Sequence, residues 1–326
     1  MSIRDDFLDV LNFRTPKGRR PMIEWAGWWD KTRDRWHTEG VPSHLDTQQL
    51  HRFFGLDPIY MVAIAPAVKR PKVHGAPIIT TASEYRALKP QIFNPAVIED
   101  AVKYALSLKT AHDRGEIVLR VWIDGFFWFP RNMLGIENHL MAFYDQPELM
   151  HEMNRDLADF TLAGLERMFQ VIKPEFVGFG EDMSYNLGPM ISEQTFNEFI
   201  LPYYNQIIPR IHKNGIKVLV DSDGDITKML PWFIRAGIDG VYPLERQAGV
   251  DVCQIRKDYP DFILLGAYDK MVMNKGKQAM YDEFKRLEPV IRSGGFIPSV
   301  DHQTPPAVSF DDYKCYMELF KEFSKV

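Results

Sequence analysis

The sequence predicts a (β/α)8 barrel of the TIM class, closed over by an N-terminal capping segment. Three observations carry this. Short apolar runs alternate with helix-spaced segments from residue 115 to the C-terminus, with no hairpin turns between them, which implies a parallel sheet. The number of units suits a closed barrel better than an open sheet. No strand is followed by a Gly-rich dinucleotide fingerprint. The chain has 326 residues, of which 45% are hydrophobic, enough for one large barrel domain over residues 1–326.

Residues 1–55 read as an irregular, aromatic extension packed on the barrel, with Trp25, Trp28 and Trp29 serving either as packing or as a pocket wall. Ile59–Ala65 is the first buried strand, ended by Pro66. Residues 77–97 read as a β-rich excursion around Ile78–Thr81, and a helix follows the Asn94-Pro95 start. Ile117–Ile123 is a strand, followed by the aromatic loop Asp124-Gly-Phe-Phe-Trp-Phe-Pro-Arg131. A long helical stretch, interrupted near Asp145-Gln-Pro147, runs to Phe169. Strand Phe176–Gly180 comes next, then a helix from Ser192 to about Asn214 that stops at Gly215. The remaining strands are Val218–Val220, Gly240–Glu245, Phe262–Gly266 and Phe296–Val300, and helices are expected near 226–236, 249–258, 275–292 and 309–324.

In such a barrel the residues just after each strand converge on one face. They are Asp124; Glu181 and Asp182; Asp221, Asp223 and Asp225; Glu245; Asp269 and Lys270; Asp301 and His302. Six successive strand ends carry an acid. Asp225 is equally placed to cap the next helix. Crowded carboxylates repel one another, and the crowd is tolerated if a cation, a protonated carboxyl, or Lys270 and His302 offset it. Three uses fit: a metal held by Asp221, Asp223, Asp301 and His302, general acid–base work, or a polar or cationic substrate. Arg131 is placed to clamp an anion or to pair with one of the acids. His139, His151 and His212 fall on helices and read as surface or satisfied groups, and Cys253 as a small buried residue.

The net charge of -5 argues against nucleic acid as a partner. No run is long and apolar enough to span a membrane, and the N-terminus shows no signal-peptide core. Two cysteines, Cys253 and Cys315, form no disulfide framework, which points to the cytoplasm.

The motifs Glu181-Asp-Met-Ser-Tyr185, Gly188-Pro189, Leu201-Pro-Tyr-Tyr204, Asp221-Ser-Asp-Gly-Asp225, Gly237–Glu245, Gly266-Ala-Tyr-Asp-Lys270 and Gly294–His302 resemble the uroporphyrinogen decarboxylase superfamily. The resemblance implies a (β/α)8 barrel and either porphyrin decarboxylation or zinc-dependent methyl exchange with a corrinoid protein. The decarboxylases carry an Arg-Gln-Ala-Gly-Arg stretch where this chain has Glu24-Trp-Ala-Gly-Trp28, so the arginines that hold substrate carboxylates are gone. The methyltransferases carry His-x-Cys where this chain has Asp221-Ser-Asp223, and a final Cys where it has Asp301, beside His302.

The resemblance therefore implies a methyltransferase passing a methyl group from a small donor to the cob(I)alamin of a partner corrinoid protein. The aromatic residues point to an aryl methyl ether as donor, and hence to O-demethylation. Asp223, His302, Glu181, Tyr185 and Asp301 are the expected catalytic groups. Trp25, Trp28, Phe126, Phe127, Trp128, Arg131, Glu245 and Lys270 are the expected substrate contacts. Zinc is the candidate metal, and a second copy of the chain is a candidate partner. The alternatives are a lyase acting on a small carboxylic acid and a non-enzymatic binder of a tetrapyrrole or other small ligand.

Overall fold

The computed structural model describes residues 2–69, 71, 73 and 75–325. Among the described residues there are nine strands: β1 (Ile59–Ile64), β2 (Val118–Asp124), β3 (Phe176–Gly180), β4 (Ser184–Tyr185), β5 (Gly188–Pro189), β6 (Lys217–Asp221), β7 (Gly240–Tyr242), β8 (Ile263–Leu265) and β9 (Phe296–Ile297). Seven form one parallel sheet in the order β1-β2-β3-β6-β7-β8-β9, and β4 pairs with β5 in a small antiparallel hairpin. The sequence fits this arrangement: Val118–Ile123, Phe176–Phe179 and Val218–Val220 are apolar runs in strands covered on both faces.

The sheet is curled rather than flat. One set of strand residues (Ile59, Val118, Phe176, Leu219, Tyr242, Ile263 and Ile297) forms its own buried cluster with Phe7, Val10 and Leu11. The opposite faces pack on the surrounding helices in a second, larger cluster. The helix Ile3–Leu11 lies at the amino ends of the strands, where Val10 accepts a hydrogen bond from Gly295 N and Arg4 N donates to Gly115 O. Its Phe7 stacks on Phe176. The amino end of the sheet is thereby plugged, and the carboxyl end is left for chemistry.

The expected eight strands are seven among the described residues. Between the edge strands β1 and β9 runs the extended segment 20–28. Met22 exchanges hydrogen bonds with Asp57 just before β1. Trp25 Nε1 donates to Val300 O just after β9, and Trp28 bridges Thr304. No ladder forms for a local reason. Pro21 has no N–H to donate, and the N–H of Met22 goes to the Asp57 side chain at 2.8 Å, not to a strand carbonyl.

Four further expectations need correction. Residues 77–97 are not β-rich: Ala82–Ile92 is a helix, set by a capping box between Thr81 and Glu84. The N-terminal extension is not irregular, because it holds the helices Ile3–Leu11, Asp30–Thr38 and Thr47–Phe54. The helix drawn from Ser192 to Asn214 is two, Glu193–Phe199 and Leu201–Lys213, separated at Ile200 ahead of Pro202. The helix drawn over 226–236 begins as a 3-10 turn, Thr227–Met229, and becomes α-helical at Leu230–Arg235.

Candidate active site

At the carboxyl ends of the strands lies a cleft of about 270 Å³. Its lining includes three indoles, Trp25, Trp122 and Trp128, and the polar groups Asp182, Asp221, Asp223, His302 and Gln303. Each reaches it for a structural reason. Trp122 is the fifth residue of β2, and its ring lies over Gly180 of β3. A Cβ built on Gly180 would stand 2.0 Å from the ring, so only glycine fits there. Trp25 comes from the closing segment and packs edge-on against His302 and Tyr242, with ring centroids 5.8 and 5.3 Å away.

Trp128 opens the helix Trp128–Leu134, and the guanidinium of Arg131 sits over its ring at 5.3 Å. The turn before it is fixed by Glu181. That carboxylate is fully buried and accepts backbone N–H bonds from Phe126 at 2.9 Å and Phe127 at 2.7 Å, with a longer one from Trp128. It also accepts the hydroxyl of Tyr204. Burial outweighs these donors and pushes its pKa up to about 7. Glu181 therefore holds the aromatic turn and does not line the cleft.

The acids form two groups that share Asp223. The donor atoms of Asp182, Asp221 and Asp223 lie within 4.8 Å of one another, and so do those of Asp223, Glu245 and His302. His302 Nε2 is 3.5 Å from Asp223 Oδ2, and this bond raises the imidazole's pKa. Asp221, at the end of β6, is only 9% exposed. Burial, and then the charges of Asp182 and Asp223, hold its pKa well above the ordinary carboxylate range. Burial, and then the charge of Asp223, bring Asp182 to about 6. Asp182 also takes a left-handed backbone conformation (φ 45°), which Asp tolerates better than most residues.

The structure does not bring every expected residue here. Asp301 is fully buried and accepts from Arg246 N and Lys270 N, with Lys270 Nζ 3.5 Å away. It stands apart from both acid groups, so of the four expected metal ligands Asp223 meets Asp221 in one group and His302 in the other, and the four do not form one set. Glu245 accepts from Gly224 N at 2.9 Å and pairs with Lys270. Lys270 is thus shared between two acids, and Arg131 donates to the carbonyl of Asp182. Phe126, Phe127 and Trp28 are buried in the core, and Tyr185 is 48% exposed on the β4–β5 hairpin. Asp225 caps the next turn by accepting from Thr227 N.

His139 is buried, with its pKa lowered by desolvation to about 3, and His212 pairs with Asp239. His151 bonds Tyr203, and Cys253 is half-buried. The cleft residues that strand-end reasoning missed are Trp122 and Gln303. Trp122 was hidden inside an apolar strand, where its polar Nε1, bonded to Asp124, was the only signal.

Fold and cleft together define an α/β protein with a curled parallel sheet and an acidic, indole-walled site at the strand carboxyl ends. The family model described as uroporphyrinogen decarboxylase (URO-D) matches residues 62–323, and the chain belongs to that family. Among solved structures, a methyltransferase from Methanosarcina mazei is similar over 99% of both chains, with a TM-score of 0.65 at 12% identity, a likeness of fold. An endo-1,4-beta-xylanase from Penicillium canescens aligns over 85% of this chain and 98% of its own at a TM-score of 0.40 and 9% identity, too low to carry an argument. No curated protein matches the chain. No helix among the described residues is long and apolar enough to cross a membrane.

Proposed function

We propose that the chain is a methyltransferase, taking a methyl group from a small donor in the cleft and delivering it to the corrinoid of a partner protein. The observation that carries this is the cleft itself. At about 270 Å³ it lies just under the usual range of small-molecule pockets, so it suits a small donor, and its charged lining is almost entirely acidic. A porphyrin decarboxylase holds substrate carboxylates with free arginines, and here Arg131 and Lys270 are both engaged. The same point weighs against a lyase acting on a small acid.

In this reading Trp25, Trp122 and Trp128 enclose the donor and exclude water. His302, paired with Asp223, faces the atom that loses the methyl group and would stabilise the leaving group as it departs. A corrinoid on the partner protein would supply the nucleophile, and the open carboxyl end of the sheet would admit it. There the β4–β5 hairpin leaves Leu187 77% exposed, beside the Asp223 turn that Ser184 Oγ bonds. Asp223, Glu245 and His302 also offer oxygen and nitrogen donors suited to zinc or another divalent ion, which would act as a Lewis acid on the leaving group.

The aryl methyl ether expected as donor rested on aromatic residues of which Trp25 and Trp128 line the cleft while Trp28, Phe126 and Phe127 are core, so it is one member of a panel. Methyl transfer to reduced corrinoid, assayed with methoxyaromatics, methylamines and betaines, is expected with at least one donor. Asp223→Asn and His302→Ala should lower kcat with donor binding partly retained, whereas a non-catalytic binder would lose affinity only. Carbon dioxide release without corrinoid, or no transfer from any donor, would end this reading.

A further inference from the structure

We infer that the methyl donor bound in this cleft is a cation, an N-methylated ammonium ion, held by the indoles of Trp25, Trp122 and Trp128 above the carboxylates of Asp182, Asp221 and Asp223. This rests on the methyltransferase reading and names the class of its substrate.

The first observation is Asp221. Its side chain is nine-tenths buried and lines the cleft, yet no described group donates a hydrogen bond to it. A buried carboxylate without a donor is costly, so Asp221 either keeps its proton or takes positive charge from a ligand in the cleft. The surrounding bases supply that charge only in part: Arg120 acts on Asp221 through its charge and donates no hydrogen bond to it. Arg120 lies over the ring of Tyr242, Arg131 is bonded to the Asp182 carbonyl and stacked on Trp128, Lys270 is divided between Glu245 and Asp301, and His302 is paired with Asp223.

The second observation is the wall. Three indoles around one small cleft form the surroundings that attract a methylated ammonium, whose charge is spread over its methyl groups and which offers few or no donors. Trp128 already carries the Arg131 guanidinium at 5.3 Å from its ring. A bare divalent ion would use the acids but gain nothing from the indoles. A neutral ether would use the indoles but leave Asp221 unbalanced. An ammonium uses both.

The test is calorimetric binding to the full chain after dialysis against a chelator. The probes are choline and 3,3-dimethyl-1-butanol, in which carbon replaces the charged nitrogen at equal shape. Choline should bind about tenfold or more tightly than the alcohol. Asp221→Asn should remove most of that preference, and Trp128→Leu should weaken choline more than the alcohol. The second variant keeps the test decisive if the first fails to fold. Equal affinities, no binding of either probe, or choline binding only after zinc is restored would overturn the inference.

No corrinoid or turnover is involved in this measurement. Selective choline binding without methyl transfer from any donor would therefore sink the methyltransferase reading and spare this one. Demethylation of a methoxyaromatic with no choline binding would do the reverse.

Discussion

Gly180 decides the shape of the cleft from one position. Its missing side chain is what allows Trp122 to lie across β3 and form a wall. The ring is rigid, so a methyl group placed 2.0 Å from it must displace it. Gly180→Ala should cost about 1–3 kcal/mol of stability through overpacking, and it should also weaken ligand binding in the cleft. Urea unfolding and calorimetry check the two effects. Unchanged affinity would mean that Trp122 is not a binding wall. At the same scale, Asp223 earns its interest by membership of both acid groups, while Asp225, two residues on, is spent on a turn.

At the scale of elements, the aromatic turn after β2 is held from the neighbouring strand. Glu181 emerges at the end of β3 and gathers the N–H groups of Phe126 and Phe127, which no helix has yet satisfied. An amide cannot accept at both ends as the carboxylate does. Glu181→Gln should therefore leave one of these bonds broken, at a cost of about 1–3 kcal/mol. Amide hydrogen exchange should quicken at Phe126 and Phe127 and leave the β6 amides protected. If exchange at the turn stays as slow as in the parent protein, Glu181 is not its anchor. The sequence marked Glu181 as a strand-end acid and so as a catalytic candidate. It could not show that the side chain turns outward to a loop, because a strand's period of two gives the face, not the partner.

At the scale of the whole molecule, the curled sheet is joined at its seam by buried polar contacts. Glu24 lies in the segment between β1 and β9 and is almost fully buried. It accepts from Ser299 Oγ at 3.1 Å and from the hydroxyl of Tyr313, on the C-terminal helix. Burial raises its pKa from 4.5 to about 7. Below pH 4.5 both folded and unfolded chains hold this proton. Between 4.5 and 7 the unfolded chain releases it while the folded one keeps it, so stability falls as pH rises through that window and levels off above it. The share from Glu24 is roughly 3 kcal/mol, and Glu181, also raised to about 7, adds a fall of the same sign. Glu24→Gln keeps the shape and never charges, so its melting temperature should decline less steeply from pH 5 to 7.5 than that of the parent. Parallel melting profiles would refute this account of the seam.

From residue 115 onward the sequence by itself determined the order of the main strands and helices, the parallel sheet and the end of the sheet where acids gather. Those follow from local periodicity and from what stands beside each strand's last residue. It also placed Asp221, Asp223, Glu245 and His302 among the candidates, since strand ends converge in any such fold. Tertiary structure alone decided which strand-end acids face one cavity. Asp301 is drawn to Arg246 and Lys270 while Asp182 turns in, and Trp122 becomes a wall while Phe126 and Phe127 become core. It also decided that the seam holds an extended segment and not an eighth strand, because Pro21 and the Asp57 side chain remove the donors a ladder needs. The physical reason is the same in each case: periodicity fixes the direction of a chain, and only long-range packing fixes where a side chain finds its partner.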